Sequence, residues 1–67
     1  MIKYTEDEMY RHLSSKARMK RLLRDMGHVR IDGGIHVELK PLAQKVWGRL
    51  AVEDQAVLAQ WRQECGF

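Results

Sequence analysis

The sequence has one cysteine among its 67 residues, Cys65, so no disulfide can form within the chain. A reducing compartment, the cytoplasm, is the natural expectation. There is no uncharged apolar run near the ~20 residues needed to cross a bilayer. The N-terminal segment MIKYTEDEMY also lacks the apolar core of an export signal. A disulfide scaffold, a membrane-spanning protein and a cleaved precursor are therefore not expected. Catalytic signatures are missing too: no P-loop, GxGxxG, GxSxG or HExxH occurs. Gly33-Gly34 does not lead into a helix, and Asp7-Glu8 and Glu53-Asp54 are explained by the positive dipole of helix starts. The expectation is a non-enzyme with no catalytic residue and no cofactor.

What is present is a globular mixture, 45% hydrophobic and 31% charged. The length predicts one small domain over 1–67. A chain this short buries only about 60% of the surface it exposes when unfolded, so a partner subunit often completes its stability. The net charge of +3 is unevenly placed. Residues 1–40 hold nine Lys/Arg against six Asp/Glu, whereas residues 41–67 hold three of each. Lys16, Arg18, Lys20, Arg21 and Arg24 fall in one stretch with no acid between them. Such a concentration suits a polyanionic partner, or else a solvated helix face.

Thr5 followed by Glu8 has the spacing of a capping box and opens a helix near residue 6. The apolar face swings by more than about 100° across Ser14-Ser15 when residues are placed ~100° apart. Two helices, 6–13 and 15–26, account for this most simply; one long helix with two differently buried ends is the competing account. Gly27 then suits a left-handed helix stop. Between His28 and Lys40 the pattern alternates, with Val29, Ile31, Ile35, Val37 and Leu39 on one face. Asp32-Gly33-Gly34 supplies a turn, and register favours a three-residue hairpin loop. Pro41 opens a further helix, and the apolar rhythm from Leu42 to Cys65 predicts helices at 42–50 and 53–64, or one bent helix. The expected fold class is α+β, in the order α-α-β-β-α-α.

In helix 15–26 the expected core face is Ser15, Met19, Leu22, Leu23 and Met26. Ala17, Lys20, Arg21 and Arg24 follow i, i+3, i+4, i+7 spacing on the opposite side, with Lys16 and Arg18 flanking them. A small residue beside long cationic arms lets a helix lie close to a groove floor while its bases reach phosphates and base edges. The helix ARMKRLLRDMG followed by HVRIDGGIHVEL resembles the recognition helix and wing of winged-helix DNA-binding domains, over roughly residues 5–40. Only two helices precede this wing, where that family has three. The resemblance implies that Ala17, Lys20, Arg21 and Arg24 face a major groove, and that Arg30, His36 and Lys40 approach the backbone or the adjacent minor groove. A small DNA-binding regulator acting on double-stranded DNA as a homodimer is the first functional expectation.

Trp47 and Trp61 share a helical face with Leu50 and Leu58, which makes these four either a dimer surface or intramolecular core. His28, His36 and Glu38 fall on one hairpin face, but finger spacing is absent and no metal is expected. The second functional expectation is a protein-interaction module whose basic surface grips an acidic patch on a larger protein. In size and compactness the chain is similar to small phage-encoded inhibitors of host machinery. No membrane partner is expected, because the basic helix carries no aromatic anchor.

Overall fold

A computed structural model describes residues 3–28 and 35–66. Every regular element among them is helical: α1 (Glu6–Asp25), a 3₁₀ turn at Val37–Leu39, α2 (Lys40–Trp47) and α3 (Val52–Cys65). The α+β expectation is overturned, since no strand occurs among the described residues.

α1 begins as its capping chemistry dictates. Thr5 is extended, and its Oγ1 accepts the Glu8 N–H at 3.2 Å, while Glu6, Asp7 and Glu8 occupy the dipole-positive first turn. The helix then runs unbroken through Ser14-Ser15, so the expected division into 6–13 and 15–26 is corrected. Met9, Leu13 and Ala17 recur every four residues and form one buried stripe that passes the serines. Ala17 continues the N-terminal face; the methionines and leucines beyond it belong to another. At its far end Gly27 adopts φ +80°. Its N–H donates to Arg24 O at 2.9 Å, and the His28 N–H donates to Leu23 O at 2.6 Å. That pair of bonds is the Schellman stop expected of a glycine at this place.

The expected second strand, 35–40, is also corrected. Ile35 and His36 are irregular, Val37–Leu39 winds into the 3₁₀ turn, and Lys40 is already the first residue of α2. Packing explains the failure of the alternating pattern. Ile35 and Leu39, four apart, both lie against the core, whereas Val37 between them is 71% exposed. A one-faced strand would have buried all three together. Val29, Arg30, Ile31 and the turn Asp32-Gly33-Gly34 lie outside the described residues.

The C-terminal half follows the sequence closely. Pro41 sits in the first turn of α2, where its missing N–H costs nothing. Between α2 and α3 the chain turns tightly, with Leu50 N–H donating to Trp47 O at 3.2 Å. The Gln55 side-chain amide donates to Trp47 O at 3.0 Å and to Leu50 O at 3.1 Å. These bonds satisfy carbonyls that a helix end leaves open. Both α2 and α3 pack on α1. The core joins Met9, Leu13 and Ala17 of α1 to Ala43 and Val46 of α2, Leu50 of the turn, and Leu58 and Trp61 of α3.

Candidate functional site

α1 is about 30 Å long at ~1.5 Å per residue, and nothing on it is buried after Ala17. The chemistry-bearing stretch is therefore a helix end whose sides meet different surroundings. Its orientation is the reverse of the sequence expectation. Ala17, assigned to a groove-facing stripe, is fully buried, because that stripe prolongs the core face of the helix. Met19, Leu22 and Met26, assigned to the core, face solvent.

Several of the expected DNA-binding cations are engaged within the molecule. Arg21 forms an ion pair with Asp54, a carboxylate in the first turn of α3. The Lys16 ammonium lies 4.8 Å from the centre of a Trp61 ring. Lys20 is half-buried; burial pushes its ammonium below the ordinary value, with Arg24 and Lys16 acting in the same direction and the Glu64 carboxylate opposing. Arg18 and Arg24 are exposed. His36 accepts the Glu38 N–H on Nδ1 at 3.3 Å, outside any wing, and Arg30 lies outside the described residues. The seven other expected contacts thus do not share one free face.

The expected dimer surface moves inward as well. Leu50, Leu58 and Trp61 are core residues here, for Leu58 and Trp61 lie on the side of α3 that meets α1. Trp47 is half-buried, with the Arg62 guanidinium 4.9 Å from its ring centre. A shallow open groove of about 590 Å³ lies beside it, lined by Trp47, Val52, Ala56, Ala59 and Arg62 among others. Arg62 is the only ionisable group in that lining.

The surface that sequence reasoning missed is the outward side of α1. Met19 is 63%, Leu22 60% and Met26 62% exposed. With Ser15 they follow 4-3-4 spacing along one side of the helix, bordered on one flank by Arg18 and Asp25. Leu23 is half-buried on the other flank. The signal was available: the same swing of the apolar face that suggested a break at the serines fits one helix with two faces. Among the described residues, Met19, Leu22 and Met26 form a row of large apolar groups on one exposed helix face. No protein-family model, curated protein or solved structure matches the chain.

Proposed function

We propose that this chain is a small protein-interaction module, acting through the outward side of the second half of α1 and not by catalysis. The observation that carries the reading is the row of three large apolar side chains, Met19, Leu22 and Met26, exposed together on one helix face. Exposed apolar residues are ordinary when single, whereas a row at helical spacing marks a docking face. The contact is with protein: the exposed row is apolar and is bordered by charges of both signs, Arg18 and Asp25, while Lys16 and Arg21 are engaged with Trp61 and Asp54. The single unpaired cysteine supports a cytoplasmic setting.

The test places a photo-crosslinking residue at position 22 and, as a control, at position 59 on the exposed side of α3, in cells that make the protein. Protein adducts from position 22, and none from 59, are expected. A duplex-DNA gel shift run in parallel at low and high salt gives the competing outcome. Salt-sensitive binding removed by Arg18→Glu and Arg24→Glu, with no protein adduct at 22, would replace this reading with the nucleic-acid one.

A further inference from the structure

We infer that the outward face of α1 is covered by a second copy of this chain, the two helices lying antiparallel about a two-fold axis near Leu22. The inference rests on the interaction-surface reading above and names its partner. Ser15, Met19, Leu22 and Met26 have the 4-3-4 spacing of a two-helix coiled-coil seam. Their side chains stand uncovered over the last part of α1 and its C-cap.

Charge decides the occupant. Arg18 immediately precedes Met19 and Asp25 immediately precedes Met26, so both border the seam on the same flank. They stand about 10 Å apart along the axis at ~1.5 Å per residue, too far to pair within one helix. A two-fold axis perpendicular to the helices reverses their direction while keeping each flank on its own side. Arg18 of one copy then lies near Asp25 of the other, and the contact is made twice. A parallel pair would set Arg18 against the opposite flank, where Leu23 stands, and form no such bond. A uniformly acidic partner helix, an anionic bilayer or duplex DNA would each be repelled by Asp25 where it is attracted by Arg18. The mixed-sign flank matches its own reverse better than it matches any of these.

The seam spans only two heptads, far short of the ~800 Å² per partner of a standard interface. The dimer is accordingly weak and concentration-dependent. Sedimentation equilibrium of the full chain from ~10 µM to ~1 mM reads it directly, with circular dichroism confirming that each exposed-site variant keeps its helices.

Arg18→Asp and Asp25→Arg should each weaken self-association about tenfold or more, because like charges then meet twice. An equimolar mixture of the two variants should recover near wild-type association, since opposite charges meet again in the mixed dimer. Leu22→Glu should abolish it. A wild-type chain that stays monomeric at ~1 mM overturns the inference. So does a dimer indifferent to Leu22→Glu, or a mixture that associates no better than its components. A monomer whose position 22 still crosslinks to a larger protein would leave the interaction-surface reading standing and remove only the self-pairing. Absence of any position-22 adduct, together with a chain that stays monomeric at ~1 mM, removes both readings.

Discussion

Arg21 of α1 and Asp54 of α3, 33 residues apart in sequence, form an ion pair in which the carboxylate partner is only 8% exposed. The pair draws a residue from the expected DNA-contacting stripe into the fold, and it ties α3 to α1 just past the last buried residue of α1. Removing Arg21 leaves the charge of Asp54 without its partner. A fully buried pair broken this way loses ~3–5 kcal/mol. The Arg21 side chain is 39% exposed, so water screens the pair and compensates in part. Arg21→Met should destabilise by about 1–2 kcal/mol in urea unfolding, and Asp54→Asn alone by less. The double variant should lose less than the sum; strict additivity would mean the pair does nothing for the fold.

Ala17 gives a sharper test of the orientation of α1. It is fully buried where α1 meets the rest of the core, so a larger side chain has no space there. Ala17→Leu should cost about 1–3 kcal/mol by overpacking. Arg18→Leu, one position on and exposed, should change stability by under ~0.5 kcal/mol. Were Ala17 on a free face, the two substitutions would be equally tolerated. Thermal melts of the pair distinguish these cases.

Elements governed by short-range chemistry were legible in the sequence. The Thr5 cap, the Gly27 stop, Pro41 in a first turn and the division of the C-terminal part into two helices each follow from a few adjacent residues. What misled was the assumption that every apolar stripe is buried. Met19, Leu22 and Met26 have the composition of a core stripe, which favoured a helix break at Ser14-Ser15 over one long helix with two differently buried ends. Tertiary packing chose the Met9–Leu13–Ala17 stripe instead, and no local feature ranks one stripe above the other. The expected hairpin failed for a related reason. Alternation of Ile35, Val37 and Leu39 satisfies a strand, yet Ile35 and Leu39 alone also satisfy a helical spacing. Contact with the core selected the second pattern.

Gln55 is expected to matter more than its polar, half-buried position suggests. Its amide makes two hydrogen bonds to carbonyls at the end of α2 and in the turn that follows, joining α2 to α3 where the chain reverses. Gln55→Ala should cost about 1 kcal/mol for a net loss of that size, or roughly 4–8 °C in Tm for a domain of this length. Gln63→Ala, on an exposed part of the same helix, is the control and should leave Tm almost unchanged. Equal Tm values for the two variants would remove the role given to Gln55.

Stability should also respond to pH through His12. Its ring lies 6.1 Å from the Tyr4 ring between centroids, and its pKa is lowered from the ordinary 6.5, first by burial and then by the Lys16 ammonium. The folded chain therefore binds this proton less readily than the unfolded chain does. Between the lowered folded value and 6.5, the unfolded state carries more of the proton, so stability rises with pH across that window. It is fully present above the unfolded value and is lost as the pH falls through the folded one. His12→Gln removes this titration while His28 and His36 remain in both proteins. The wild-type Tm should consequently fall more steeply than that of His12→Gln between about pH 7 and pH 5. Parallel curves for the two proteins would assign the pH dependence to other groups.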